Sequence, residues 1–303
     1  MRSRQSKQFF KAVIVSGIVS FTPLLAQAPP NGQTQNPGDR TVPIYRLTVV
    51  QRALQAVNFQ SHTSPTRVDF KGTVLLPKAD GEAKVEVKNG YTEVNASFRH
   101  LNPPTQFGTE FLTYVLWAIT PEGRAINLGE VVADSSNKAS MRVTSPYSTF
   151  GLLVTAEPYF SVPYPSDVVV LESAVRPDTV GRVQEVEAKY ELLPRGQYTM
   201  NIKPQQLASA SMKEPPGVSM TEYEAVLELY QARNALQIAK ADGAAEAAQD
   251  TFNKAQDALN QAETLYAARK DFNGVINASR QAVQAASDAR AIAMRRKTAP
   301  EQR

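Results

Sequence analysis

The sequence has no cysteine, only two histidines and a single tryptophan in 303 residues. Without cysteine there can be no disulfide, thiolate metal ligand, cysteine nucleophile or lipid-modified amino-terminal cysteine. His62 and His100 are isolated from each other and do not have the spacing of a metal-ligand pair. Serine-hydrolase, zinc-protease, phosphate-loop and dinucleotide-binding motifs are also missing. We therefore predict a protein that is not an enzyme, with no catalytic residue, cofactor or metal site. A hydrolase with a site assembled from loops is the alternative.

The amino end has the layout of a secretory signal. An uncharged run from Ala12 to Ala26 follows four basic residues, which are Arg2, Arg4, Lys7 and Lys11. The run is too short for a comfortable membrane span, and it ends in the small-residue pattern that signal peptidase requires. We predict cleavage after Ala26 or Ala28 and an exported protein of the periplasm or the outer-membrane periphery. A retained anchor, as in an envelope sensor or regulator, is the alternative.

The basic excess of the chain belongs to this leader. The sequence has 33 basic and 29 acidic residues, and four of the basic but none of the acidic ones precede Pro29. The remainder therefore carries 29 of each sign and no net charge. No basic stripe with interleaved aromatic residues is found in it, so we predict no nucleic-acid partner.

Changes of composition divide the chain into six segments. A Pro/Gly/Asn/Gln stretch follows the leader, and a Ser/Lys/Pro/Gly stretch separates strand-like from helix-like sequence. The predicted segments are a signal peptide (1–28), a disordered linker (29–42), a β-sandwich domain (43–203), a second linker (204–220), a helical bundle (221–297) and a tail (298–303).

The first domain has short apolar or alternating runs separated by turn residues. Asn89-Gly90 between two alternating runs predicts a two-residue hairpin turn. The run from Tyr45 to Phe59 fits either a strand or a short helix, and Arg195-Gly196 predicts a further hairpin. Strands at this spacing indicate an antiparallel β-sandwich. The predicted fold class is therefore α+β, a sandwich followed by a helical bundle.

One part of the β region resembles a known family. The segments YVLWAITPEGRAINLGEV, LLVTAEP and PSDVVVLE are similar to the extracytoplasmic sandwich of anti-sigma-K-type regulators. The resemblance covers about half of the β region and implies a fold without catalytic content. Sigma-factor control is not implied, because the sequence shows no cytoplasmic sigma-binding domain ahead of a span.

The Ala-rich carboxy-terminal region predicts three helices, at about Thr221–Ala241, Ala244–Ala268 and Asp271–Arg296. Asp242-Gly243 is typical of a helix stop, and Asp271 can cap the third helix. Apolar residues at alternating steps of four and three predict one packing seam on each of the last two helices. The seams are Ala248, Phe252, Ala255, Leu259, Ala262 and Tyr266, and Phe272, Ile276, Ser279, Val283 and Ala286. Short connections favour an up-down-up three-helix bundle.

The same region, QIAKADGAAEAAQDTFNKAQDALNQAETLYAARKDFNGVINASRQAVQAASDAR, resembles the domain of unknown function 4398 family. The matching features are the break at Asp242-Gly243, the Ala-x-x-x-Leu spacing and the Lys270-Asp271-Phe272 turn. The resemblance implies an Ala-rich helical hairpin of a bacterial envelope protein.

Aromatic residues among prolines form the candidate binding site: Tyr147, Tyr159, Phe160 and Tyr164. Exposed rings on proline-stiffened loops suit a peptide or glycan, whereas the alternative is that these rings plug the end of the sandwich. We predict an envelope protein or glycan as partner, no membrane span after cleavage, and self-association through the helices as a further contact. The predicted function is a non-catalytic exported envelope protein, with a sandwich for binding and helices for assembly or spacing.

Overall fold

The computed structural model describes residues 50–61, 65–190 and 219–298. These residues form ten strands followed by four helices. The strands are β1 (Val50–Asn58), β2 (Thr66–Gly72), β3 (Asp80–Lys88), β4 (Tyr91–Arg99), β5 (Thr113–Ile119), β6 (Ala125–Val131), β7 (Ala139–Ser145), β8 (Thr149–Glu157), β9 (Val169–Val175) and β10 (Arg182–Tyr190). The helices are α1 (Met220–Ala241), α2 (Ala244–Ala247), α3 (Gln249–Ala268) and α4 (Phe272–Thr298). The predicted α+β class, with strands first and helices last, is confirmed.

Hydrogen bonds join the ten strands into one antiparallel sheet. The main path runs β10-β1-β8-β9-β2-β3-β4-β7. Outside this path, β5 pairs with β8 along its whole length, and β6 pairs with β5. Strands β6 and β7 contact each other, so the sheet curls into a nearly closed barrel. The antiparallel β class is thus as predicted. The strands form one continuous sheet, however, whereas a β-sandwich consists of two separate sheets. The run from Tyr45 to Phe59, whose sequence fits either a strand or a short helix, contains strand β1.

Strand β5 is buried on both of its faces. Tyr114, Leu116 and Ala118 belong to the core inside the barrel. Val115, Trp117 and Ile119 point to the other side and belong to a cluster shared with the helices. This double burial explains why the sequence of β5 is an unbroken apolar run. In a strand with one face exposed to solvent, apolar and polar residues would alternate.

The turn between β3 and β4 has the predicted length of two residues. Lys88 pairs with Tyr91 across it, and Gly90 has a φ of 86°. Glycine adopts this left-handed conformation without the steric cost that a Cβ atom would bring. The predicted hairpin at Arg195-Gly196 lies outside the described residues.

The helix ends follow the capping signals in the sequence. The Ser219 hydroxyl accepts a hydrogen bond from the Glu222 amide at 3.1 Å, and Asp271 Oδ1 accepts one from the Gly274 amide at 2.8 Å. Helix α1 ends at Ala241, and Gly243 follows with a φ of 79°. The predicted second helix is interrupted, because Ala248 leaves helical geometry (φ −140°) between α2 and α3.

The helices pack on one another and on the sheet. Helices α1 and α3 both contact α4, and the predicted seam residues of α3 from Phe252 to Ala262 are buried. Their cluster is continuous with Leu54 of β1 and Leu153 of β8. The helices therefore cover the outer face of β5 and β8 and share a core with the sheet, a contact that the sequence pattern did not indicate.

Candidate functional site

The four predicted aromatic residues do not form one exposed group. Tyr159 is completely buried between the sheet and the helices, and Phe160 is partly buried beside it. Tyr164 is 38% exposed. Tyr147 lies at the opposite end of the barrel, where its hydroxyl accepts a hydrogen bond from Arg124 Nη1 at 3.1 Å. Of the two alternatives, exposure does not hold for Tyr159, because the helices cover the loop that carries it, and Phe160 is only partly exposed.

A cluster of three charged side chains lies at this helix–sheet junction. The Arg280 guanidinium of α4 forms ion pairs with Glu130 of β6 and Glu228 of α1. It also stacks on Phe160 of the β8–β9 loop, with 4.9 Å between Cζ and the ring centroid. We call Arg280, Glu130 and Glu228 the junction triad. One arginine thus connects the sheet, two helices and a loop.

The two carboxyl groups of the triad differ in the hydrogen bonds that they accept. Glu130 Oε1 accepts hydrogen bonds from Thr113 Oγ1 at 2.6 Å and from Gln231 Nε2 at 2.9 Å. Glu228 Oε2 is buried and has no hydrogen-bond partner among the described residues. Burial, and secondly the nearby charge of Glu130, raise the pKa of Glu228 to about 8, although Arg280 opposes this shift. The site can therefore hold a proton at neutral pH, yet Arg280 fills the space between the two acids.

A second charged pair anchors the other end of α4. Arg290 is nearly buried and pairs with Asp242, the residue that ends α1. The Tyr159 hydroxyl lies beside the Arg290 guanidinium but is not aligned for a hydrogen bond with any described group. Burial raises the pKa of Tyr159, and the Arg290 charge partly offsets that rise. The ion pair therefore joins α4 to the end of α1, beside Tyr159 of the β8–β9 loop.

Amide side chains form the remaining hydrogen bonds of the junction. Asn234 of α1 donates to the Pro158 carbonyl at 3.2 Å, and Gln231 accepts from the Phe160 amide at 2.8 Å. On the sheet side Asn127 donates to the carbonyls of Phe160 and Val162, at 2.9 and 3.0 Å. These bonds satisfy the backbone of a buried loop, which would otherwise lose its hydrogen bonds to water.

A buried acid lies next to the junction, at the end of β8. Trp117 Nε1 donates to Thr155 Oγ1 at 2.8 Å, and Thr155 Oγ1 donates to Glu157 Oε1. The Ser166 amide donates to the same carboxyl oxygen at 2.7 Å. Burial raises the pKa of Glu157 to about 8 despite these bonds, and the charge of Asp167 adds to the rise. Glu157 is therefore largely protonated at neutral pH, as a structural acid inside the protein.

We predict that replacing Glu157 by Gln weakens the dependence of stability on pH. A carboxyl whose folded pKa exceeds its unfolded pKa stabilises fully at low pH and loses that contribution as pH rises from about 4.5 to about 8. Each such group contributes a slope of at most about 1.4 kcal/mol per pH unit. Urea unfolding at pH 5, 7 and 9 should show the wild type losing stability with rising pH, and Glu157→Gln losing less.

Glu93→Gln is the matched control for that measurement. Hydrogen bonds from Arg142, Lys88 and Asn95 lower the pKa of Glu93 to about 2. The contribution of Glu93 to folding stability is therefore present above its unfolded pKa and lost in acid. Glu93→Gln should for this reason change the stability profile at the acid end of the pH range. Identical pH profiles for wild type and Glu157→Gln would contradict the assignment of a protonated Glu157.

Other polar features are more open. A shallow depression of about 420 Å³ lies on β4 and β7, and its lining is Asn95, Ala96, Ser97, Ser140, Met141 and Arg142. His100 Nδ1 is 3.0 Å from Asp80 Oδ1 at the end of β4, and His62 lies outside the described residues.

Within the described ranges no group of three or more His, Cys, Asp or Glu could hold a metal ion. No described helix is both long and apolar enough to span a bilayer.

Sequence reasoning missed the residues of the junction, although one signal was present. The seam of α4 continues by a step of four from Ala286 to Arg290, so a charged residue occupies an apolar position. Glu228 likewise lies three residues after the buried Ala225 of α1. A charge at a core position of a helix indicates a partner that is brought there by the tertiary fold.

Neither a protein-family model nor a curated protein matches the chain.

Proposed function

We propose that this chain is an exported, non-catalytic protein of a bacterial-type cell envelope, whose sheet and helices act as one rigid binding or spacing body. The junction triad carries the proposal. Its ionisable groups pair with one another across the sheet, α1 and α4, and Arg280 occupies the space where a substrate would meet both acids. Groups arranged in this way fasten structural elements to each other.

The finer description of the fold belongs to the same proposal. In the sandwich description of this continuous sheet, β6, β5 and β8 face β2, β3, β4 and β7 across a common apolar core. Helices α1, α3 and α4 form an up-down-up bundle, in which α4 packs on both of the others. These features support the resemblance to the extracytoplasmic sandwich and to the Ala-rich envelope helices.

Export rests on the sequence of the leader. Its basic start, its apolar run and its small-residue end form a signal that precedes the folded body. The neutral remainder of the chain favours a partner recognised by local contacts, such as an envelope protein or a glycan. Self-association through the helices belongs to the proposal as a second contact.

We predict that the protein recovered from the envelope fraction begins at Gln27 or Pro29. Signal peptidase removes the leader after a small residue, and the neutral mature chain is left outside the cytoplasm. Amino-terminal sequencing of the exported form measures this directly. The control is Val15→Arg/Ile18→Arg, which places charges in the apolar run and should retain the precursor in the cytoplasm. An intact Met1 on wild-type protein in the envelope fraction would favour the anchored sensor.

A further inference from the structure

Buried polar atoms without a hydrogen-bond partner are concentrated on the elements that meet at the helix–sheet junction. Seven such side-chain atoms occur among the described residues, and six of them belong to β8, the β8–β9 loop, α1 or α4. Two of the six are carboxyl oxygens, Glu157 Oε2 at the end of β8 and Glu228 Oε2 of α1. A buried carboxylate that lacks partners is costly, so these two acids favour their protonated form while the helices are docked.

Glu157 lies on the face of the sheet that the helices cover. Leu153, Thr155 and Glu157 alternate along β8 and therefore project to one side of it. Leu153 belongs to the apolar cluster shared with the helices. Trp117 of the same cluster donates a hydrogen bond to Thr155, which in turn donates to Glu157. Glu157 is thus part of the junction and does not point into the barrel.

Acids outnumber bases at the junction. Four acids and two arginines are wholly or largely buried there: Glu130, Glu157, Glu228, Asp242, Arg280 and Arg290. The two arginines balance two of the acids, and Glu130 is one of these, because it also accepts hydrogen bonds from two neutral side chains. Glu157 and Glu228 remain in excess. The junction is therefore neutral only when both of them hold a proton.

The groups around the two acids do not supply the missing positive charge. The charged and titratable neighbours are Asp167 and Tyr159 of the β8–β9 loop for Glu157, and Glu130, Arg280 and Glu224 for Glu228. Only Arg280 among them is positive, and Glu130 already shares it. Burial is the main cause that raises the pKa of each of the two acids to about 8.

The sheet and the helices each have a core that does not include the junction. The inside of the barrel holds its own apolar cluster, with Val94, Leu116 and Val154 among its members. Helix α4 packs along both α1 and α3, so the helices also hold one another. Each part can therefore keep its structure when the contact between them opens.

We propose that rising pH releases α1 and α4 from the sheet, because their docking requires protons on Glu157 and Glu228. Release uncovers the apolar row of Val115, Trp117 and Ile119 on the outer side of β5. The fold thereby couples exposure of this row to the pH around the protein. The inference goes beyond the proposed function, in which sheet and helices act as one body, and it does not depend on export.

The dependence on pH has a definite direction. A carboxyl whose pKa is higher in the docked state than in the released state favours docking at low pH. It loses that effect as pH rises from about 4.5 to about 8. In this range the equilibrium constant for release should increase by up to about tenfold per pH unit for each acid, and above it the constant should level off.

The absence of cysteine allows release to be measured with single introduced thiols in the full chain. Val115→Cys places a thiol under the helices, and Val154→Cys places one inside the barrel, where both valines are 0% exposed. Each thiol is labelled with dithiobis(nitrobenzoate) between pH 6 and pH 8.5. The rate is divided by that of the same variant unfolded in urea at the same pH, which removes the pH dependence of the thiol itself.

The two positions should differ because release is a local opening. We expect the normalised rate at Val115→Cys to be at least about tenfold higher than at Val154→Cys, since global unfolding costs more free energy than local opening. The rate at Val115→Cys should rise by at least about a hundredfold from pH 6 to pH 8.5. Equal normalised rates at the two positions overturn the proposal, because both thiols would then report global unfolding.

Glu157→Gln combined with Glu228→Gln tests the two acids. A neutral amide replaces each protonated carboxyl, so the rise of the normalised rate with pH should largely disappear. Glu93→Gln is the matched control, because Glu93 is also buried but its pKa of about 2 keeps it ionised throughout this range. It should leave the rise unchanged. A rise that persists in the double variant overturns the proposal.

The single tryptophan of the unsubstituted chain gives a second measurement that needs no variant. Trp117 is completely buried on the covered face, and its indole N–H donates to Thr155 at 2.8 Å. Hydrogen exchange of this N–H, relative to that of free indole at the same pH, should increase from pH 6 to pH 8.5. A relative exchange rate that stays constant with pH overturns the proposal, whether or not the double variant folds.

Discussion

Replacing Tyr159 by Ala should lower the free energy of unfolding by about 3–5 kcal/mol. The ring is completely buried between the sheet and the helices, and its removal leaves a cavity in the shared core. The cost combines the lost transfer of the ring from water with the cavity that cannot fully collapse. Urea unfolding at pH 7, followed by circular dichroism, measures the change.

Tyr164→Ala is the control for that measurement. Tyr164 lies on the same loop, between Pro163 and Pro165, but is 38% exposed. Its removal should alter the free energy of unfolding by less than about 0.5 kcal/mol, as for other surface substitutions. Equal effects at the two positions would contradict the burial of Tyr159. The comparison also separates a structural ring from one that is available to a partner.

Replacing Arg280 by Met should destabilise the protein by about 3 kcal/mol, near the lower limit for a broken buried ion pair. Glu130 and Glu228 would remain almost covered without their shared cation, while the Met side chain keeps much of the packing on Phe160. The estimate lies at the lower limit because the Arg280 side chain is itself 38% exposed. The same unfolding measurement at pH 7 applies.

Two further variants show whether the loss comes from the junction triad. Glu130→Gln added to Arg280→Met removes the carboxylate that loses its cation, because Glu228 already holds a proton at neutral pH, and should restore part of the stability. Arg233→Met is the matched surface control, because Arg233 is about as exposed and pairs with the exposed Glu263 at 2.8 Å. It should cost at most about 1 kcal/mol. A loss at Arg233 as large as that at Arg280 would refute a special role for the triad.

Local patterns predicted the elements of this fold better than their arrangement. Asn89-Gly90 and Asp242-Gly243 gave the correct hairpin turn and helix stop, because backbone conformation at these residues is decided by neighbours in the sequence. The unbroken apolar run of β5 is itself typical of a buried strand. Its burial on both faces was not foreseen, since the second face is covered by helices more than a hundred residues away.

The candidate site was harder to predict for the same reason. The aromatic loop was identified from its prolines, but whether Tyr159 faces water depends on α4, which is distant in the sequence. Glu130 and Arg280 are separated by 150 residues and show no common motif. Only Arg290 and Glu228 can be singled out from the local sequence, because each places a charge at a helix position where the pattern predicts an apolar residue.

The double burial of β5 also has a consequence for biosynthesis. The helices follow the strands in the chain, so synthesis from the amino end makes all ten strands before α1 and α4. Until then Val115, Trp117 and Ile119 form an uncovered apolar stripe on the outer side of the sheet. Such a stripe is a hazard for aggregation. This stripe is therefore open to aggregation in the nascent chain until the last helix docks.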